Sequence, residues 1–199
     1  MKKQSFICAI LCCAILLSAM FTGCSDNTFS PSSFSADNSA NHISNISETS
    51  DYVIKGNKTD YKIVVPENAS LTIKEAAKEL TQFTNESTGA VLETVSENVA
   101  AVGGKYISLG KTSLAASAGI SYDGLGTDGY IIKTVGESVY VYGEDYGTLY
   151  GVYGLLNDWA GYEFFYKNVY SLEKKSDVKL KNYDVKEVPD IAYRAAGYG

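Results

Sequence analysis

Between residues 43 and 199 the sequence contains neither cysteine nor histidine. All four cysteines (Cys8, Cys12, Cys13 and Cys24) fall in the first 24 residues of the 199, and His42 is the only histidine. That absence excludes from the body of the protein a Ser/His/Asp triad, a Cys/His pair, a thiolate or imidazole zinc site and a disulfide framework. Carboxylate, tyrosine and backbone chemistry remain. Basic residues are in deficit as well, 17 against 23 acidic. Removal of residues 1–23 would take Lys2, Lys3 and no acidic residue, leaving 15 against 23 and a net charge of −8. Such a balance argues against nucleic acid or an anionic membrane surface as a partner. What is present is 45% hydrophobic and 20% charged, with 16 tyrosines, a composition that fits one ordinary globular domain.

The N-terminus reads as an address. Lys2 and Lys3 precede an apolar run from Phe6 to Leu17 that is short for a bilayer span, the pattern of a signal peptide over residues 1–23. The run leads to Phe21-Thr22-Gly23-Cys24, which resembles the lipobox of bacterial lipoproteins; Gly23 and Cys24 fit it, and Phe21 replaces its usual leucine. The resemblance implies lipid attachment at Cys24 and a membrane-anchored protein at the cell surface. Several acyl chains, at about 0.8 kcal/mol per buried methylene, would hold it there without a transmembrane helix. Residues 24–50 are rich in Ser, Asn, Asp and Thr and read as a disordered tether, with His42 solvated inside it.

The folded unit is expected over residues 51–187. Tyr61 to Val65 is a β-branched strand stopped by Pro66. Thr72 and Glu75 have capping-box spacing, with Ser70 a competing cap, and Ile73, Ala76, Ala77, Leu80 and Phe83 recur at helical spacing up to Gly89. Val91–Val95 and Lys105–Leu109 read as strands, Ser113–Ser117 as a short helix, and Gly129–Val135 with Ser138–Tyr142 as a hairpin about Gly136-Glu137. Tyr162–Tyr166 reads as an edge strand. This order predicts an α/β (α+β) two-layer sandwich, with a mixed sheet of five or six strands and two main helices.

Gly110-Lys111-Thr112 invites comparison with a phosphate-binding loop. Lys105 stands where the leading glycine is needed, and the interval is strand-like, so no nucleotide or other cofactor is expected. The segment from Gly143 to Gly161 is more distinctive. Asp145 is placed to cap a helix. Gly147, Gly151 and Gly154 then fall at i, i+4 and i+7, a stripe without side chains that costs roughly 1 kcal/mol of helix propensity per residue. A helix carrying such a stripe lies very close to something, either its own sheet or another domain. Leu149, Val152, Leu156 and Trp159 form a neighbouring apolar stripe. Tyr146, Tyr150 and Tyr153 form a third, read either as packing or as a platform on which sugar rings stack.

Gly143-Glu-Asp-Tyr-Gly-Thr-Leu-Tyr-Gly-Val-Tyr153, followed by Leu155-Leu156 and Tyr162-Glu-Phe-Phe165, resembles the N-terminal accessory domain of bacterial α-glucuronidases and β-N-acetylhexosaminidases. The helix at Ala77-Lys78-Glu79-Leu80 fits the same pattern, and the likeness extends over residues 52–196. Pro189-Asp-Ile-Ala-Tyr193-Arg194 resembles the approach to the first strand of the catalytic barrel, so residues 188–199 are read as the start of a downstream barrel that takes about 250 residues. The resemblance implies a non-catalytic accessory domain of a surface lipoprotein in carbohydrate metabolism. Its partners would be the downstream barrel, the membrane through the lipid, and carbohydrate as a further candidate. It carries over no catalytic, metal or cofactor residue. Adjacent Glu144 and Asp145 cannot form the facing pair of carboxylates that glycosidic cleavage uses. The alternative is a self-standing surface lipoprotein that binds glycans or a protein partner through its tyrosines. An accessory role further predicts an exposed apolar patch where the barrel would dock.

Overall fold

The computed structural model describes residues 42–101, 103–121 and 123–190. The expected signal peptide, Cys24, residues 24–41 of the expected tether, and the barrel-like residues Tyr193 and Arg194 lie outside the described residues. Among the described residues no helix is long and apolar enough to cross a membrane.

The chain runs β1 (His42–Ile54), β2 (Lys62–Val65), α1 (Leu71–Thr88), β3 (Glu93–Ser96), a 3-10 turn (Glu97–Val99), β4 (Tyr106–Leu109), α2 (Ser113–Ser117), β5 (Tyr130–Val135), β6 (Ser138–Gly143), α3 (Asp145–Ala160), β7 (Glu163–Tyr166), β8 (Val169–Ser171) and β9 (Val178–Glu187). Seven strands form one mixed sheet in the order β1-β9-β5-β6-β4-β2-β3. Its β6-β4-β2-β3 half is parallel, and its β1-β9-β5-β6 half is antiparallel. The long helices α1 and α3 pack against each other and on one face of the sheet, which gives the expected two-layer α+β sandwich.

Alternation along the central strands builds this arrangement. Val139 and Val141 of β6 and Ile107 and Leu109 of β4 point toward α1 and α3. Tyr140 and Tyr142 point to the opposite face, where α2 contributes Ala115. Helix α1 buries Ile73, Ala76, Ala77, Leu80 and Phe83, the stripe its sequence spacing dictates. Its N-cap is Ser70, whose hydroxyl accepts from the Ile73 amide at 3.2 Å, and not Thr72. Gly89 ends the helix in the left-handed region (φ 75°), where a side chain would be strained. Leu80, Leu155 and Leu156 are fully buried, each contributing roughly 1.5–3 kcal/mol of transfer free energy.

The main sheet has seven strands where five or six were expected, and three expectations about its elements change. The tether is shorter at its C-terminal end, because residues 42–50 belong to β1 and pair antiparallel with β9 from His42↔Glu187 to Glu48↔Lys181. Strand β9 itself occupies the polar Lys/Asp stretch that carried no strand reading. It buries Val178, Leu180, Tyr183 and Val185, and Lys179, Asn182 and Asp184 are exposed. Tyr162–Tyr166 is not an edge of the main sheet. Strand β7 pairs only with β8, as a separate two-stranded hairpin.

A polar network fastens β9 to α3. The Trp159 indole donates to the Tyr183 hydroxyl (3.0 Å), which donates to Asp158 Oδ2 (2.6 Å), and Lys181 donates to Asp158 Oδ1 (2.7 Å). Burial, reinforced by Asp158, pushes the Tyr183 phenol far above its ordinary range, so it remains a donor. The Thr134 hydroxyl donates to the Lys181 carbonyl (2.6 Å) and accepts from the Tyr183 amide (3.1 Å), which bridges the ladder where regular β5–β9 pairing stops.

Candidate functional site

The glycine stripe of α3 is directed at the domain's own sheet. A Cβ on Gly147 would lie 2.1 Å from the carbonyl oxygen of Gly129, at the start of β5, and one on Gly151 would lie 2.5 Å from Val141 Cγ1 of β6. At Gly154 the nearest atom would be the Tyr130 hydroxyl at 3.2 Å. The Gly147 amide also donates to the Thr127 carbonyl (3.0 Å), so the helix and the loop that leads into β5 meet backbone to backbone. Of the two readings of the stripe, the internal one accounts for all three glycines.

Asp145 does not cap α3. Glu144 occupies the cap position without a side-chain bond, and Asp145 is the first helical residue, where its charge suits the positive end of the helix. Glu144 instead pairs with Lys111, and the Thr148 hydroxyl donates back to the Gly143 carbonyl (3.0 Å). Thr112 caps α2 by accepting from the Ala115 amide (3.1 Å) and shares a bond with Ser108 (2.6 Å). Lys111 and Thr112 are therefore occupied by structural partners. His42 lies at the start of β1, its Nδ1 2.7 Å from Glu187 Oε2. Among the described residues no group of three His, Cys, Asp or Glu side chains is placed to hold a metal ion.

The three tyrosines of α3 part company. Tyr146 and Tyr150 are exposed and stack on each other, with centroids 6.5 Å apart. Tyr153 turns into a cleft of about 610 Å³ between α1, α3 and the β7–β8 hairpin. Helix α1 contributes Glu79, Gln82 and Phe83, which the spacing i, i+3, i+4 puts on one face. Tyr162, Phe164 and Tyr170 complete the wall, and Lys167 and Asn168 form the two-residue turn of the hairpin. Asn168 is left-handed there (φ 62°), a conformation asparagine tolerates better than most residues.

The rings brace one another. Tyr153 and Tyr162 are nearly parallel, 12° between planes at 5.8 Å, Phe83 lies 4.5 Å from Tyr162, and Tyr170 meets Phe83 edge-on at 5.1 Å. The hairpin is tied to α1 by the Tyr170 hydroxyl donating to Glu86 Oε2 (2.8 Å). Just beyond it, Ser87 donates to the Glu173 carbonyl (2.6 Å). Burial first, and then the neighbouring Glu79 carboxylate, push the Tyr153 phenol above its ordinary value, so its hydroxyl stays protonated at neutral pH. Oε2 of Glu79 is buried in this wall without a hydrogen-bond partner. Outside the cleft the hairpin displays Phe165, Tyr166 and Val169, an exposed apolar surface.

Sequence reasoning singled out Tyr153 but not Glu79, Gln82, Lys167, Asn168 or Tyr170. Glu79 and Gln82 fall between the apolar positions of α1, so its helical spacing does not mark them. The one signal in the sequence for this wall is the density of aromatics between Tyr162 and Tyr170.

The family described as Glycosyl hydrolase family 67 N-terminus matches residues 49–155, more than half of the chain, and the chain belongs to that family. Among solved structures, CpGH84D superposes with a TM-score of 0.48 at 15% identity over 75% of this chain and 23% of its own. The Flavobacterium johnsoniae chitobiase FjGH20 gives 0.42 at 12% identity over 75% and 20%. The family GH115 4-O-methyl-α-glucuronidase BtGH115A gives 0.45 at 14% over 69% and 18%. The chain spans about a fifth of the length of these proteins. No match was found among curated protein sequences.

Proposed function

We propose that this chain is the non-catalytic accessory domain of a lipid-anchored surface glycoside hydrolase, joined through Pro189 to a catalytic barrel and serving carbohydrate metabolism. Membership of the family 67 N-terminal domain carries this reading. Three features add support: the lipobox-like Phe21-Thr22-Gly23-Cys24, the barrel-like Pro189-Asp-Ile-Ala-Tyr193-Arg194, and the exposed apolar side of the β7–β8 hairpin. Two of the domain's carboxylates near α3 are engaged in its architecture. Asp158 is held by Tyr183 and Lys181, and Glu144 by Lys111, so these carboxylates fasten secondary structure to secondary structure.

Two measurements on the full chain test the proposal. Expressed in a bacterial host fed labelled palmitate, the chain incorporates label, and Cys24→Ala abolishes it; label retained in that variant would refute the anchor. The purified chain leaves aryl glucuronides, xylosides and N-acetylglucosaminides intact. Turnover that scales with enzyme and survives repurification would refute the non-catalytic role.

A further inference from the structure

We infer that the cleft between α1, α3 and the β7–β8 hairpin is a binding site for a neutral pyranose unit of a glycan, held by Phe164 and Tyr153 and by the Glu79 carboxylate, with Tyr162 packed behind Tyr153 as support. The inference is independent of the lipid anchor and of the barrel. Half of the cleft also lies beyond the family match, because Tyr162, Phe164, Lys167, Asn168 and Tyr170 all follow residue 155.

The cleft has the composition of a ligand site. Its volume of about 610 Å³ falls within the roughly 300–1,000 Å³ of small-molecule sites, and its walls are aromatic with a few polar groups among them. A pyranose presents a face of weakly positive C–H bonds, complementary to the negative face of an aromatic ring, and a rim of hydroxyls that need partners in the plane. The buried, unpartnered Oε2 of Glu79 is an acceptor waiting for such a hydroxyl. The Tyr153 hydroxyl is directed at the Glu79 carboxylate and orients it, and Oε2 keeps an unused acceptor position. The Gln82, Lys167 and Asn168 side chains make no hydrogen bond among the described residues and supply further donors.

Charge selects the class of sugar. Glu79 in the wall opposes an anionic ligand, whose carboxylate would be driven against a carboxylate oxygen already lacking a partner. Lys167 at the turn opposes a cationic one that the aromatic rings would otherwise attract. An acyl chain would fill the rings and leave Glu79 Oε2 buried and unsatisfied. A neutral polyhydroxyl ring satisfies the walls and the carboxylate together.

Saturation-transfer NMR on the full chain, in a detergent without a sugar headgroup, tests the site. The probes are cellobiose, xylobiose and N,N′-diacetylchitobiose, with glucuronic acid and tetramethylammonium as charged controls. At least one neutral disaccharide gives saturable transfer at millimolar concentration, strongest at its ring C–H protons, and the controls give none. Phe164→Ala, at an exposed position that leaves the core intact, and Glu79→Gln each weaken binding about fivefold or more. Circular dichroism and melting of both variants are unchanged. No transfer from any neutral disaccharide at about 50 mM, where even a very weak site would register, overturns the inference. So does wild-type affinity in both variants, or stronger binding of either charged control.

Discussion

Alanine substitutions along the glycine stripe of α3 should destabilise the domain in the order Gly147, Gly151, Gly154. Each exchange gains about 1 kcal/mol of helix propensity, so any loss measures the closeness of the sheet. At Gly147 the added carbon would lie 2.1 Å from the Gly129 carbonyl oxygen, and relief requires the helix to retreat by about 1 Å. The obstacle is backbone, and the Gly147–Thr127 hydrogen bond opposes the retreat. The upper end of overpacking penalties, about 3 kcal/mol, applies, for a net loss of about 2 kcal/mol. At Gly151 the nearest atom is a methyl of Val141 at 2.5 Å, which can give by moving the side chain, and the net loss falls to about 1 kcal/mol. At Gly154 the contact with the Tyr130 hydroxyl is 3.2 Å, and alanine is neutral or slightly stabilising. Urea unfolding of the full chain, followed by circular dichroism at constant slope, reads the series. A loss of 2 kcal/mol lowers the midpoint by about 1 M for a slope of about 2 kcal/mol/M. A Gly147→Ala variant as stable as the parent, or a Gly154→Ala variant that is the least stable of the three, would refute close contact with β5, its leading loop and β6 as the reason for the stripe.

Tyr183→Phe leaves the Trp159 indole and one Asp158 oxygen without their partner in a buried network, and should lower stability by about 1–3 kcal/mol. Thermal melting shows this as a drop of roughly 2–4 °C per kcal/mol, and an unchanged melting point would show that the network does not hold β9. Glu97 accepts from the amides of Ser113 (2.6 Å) and Glu67 (3.0 Å), and these bonds, the Ser113 one foremost, hold its carboxyl below the ordinary glutamate value. A lowered folded pKa gives stability that is fully present above the unfolded value and is lost as pH falls through the folded one. Glu97→Gln should therefore be less stable than the parent at pH 7, with the gap closing below about pH 4.3. A gap independent of pH would contradict that assignment.

The central layers were legible because their residues follow one period without interruption. Ile73, Ala76, Ala77, Leu80 and Phe83 keep helical spacing, and both their helix and the β5–β6 hairpin about Gly136 lie where the sequence puts them. The glycine stripe was read as a close contact, and the sheet supplies it. Strand β9 escaped because its alternation breaks phase: Val178 and Leu180 are two apart, Tyr183 comes three later, and lysines and aspartate fill the exposed positions. Strand β1 escaped for a different reason. It is an edge with one neighbour, and most of its residues from His42 to Asp51 are exposed, so no apolar periodicity marks it. The cleft was only partly visible because it joins α1, α3 and a hairpin that are separated in sequence. Glu79 has the spacing of a solvent-facing residue, yet its Oε2 is buried in the wall of the cleft.

The size of the native protein in its source cells tests most directly whether this domain works beside a catalytic barrel. An antibody against residues 42–188 should detect a single chain heavier than the 21.5 kDa of the 199 residues by at least one eight-fold barrel of about 250 residues. A band at 21.5 kDa, or at the slightly smaller mass left by loss of residues 1–23, would contradict the accessory role.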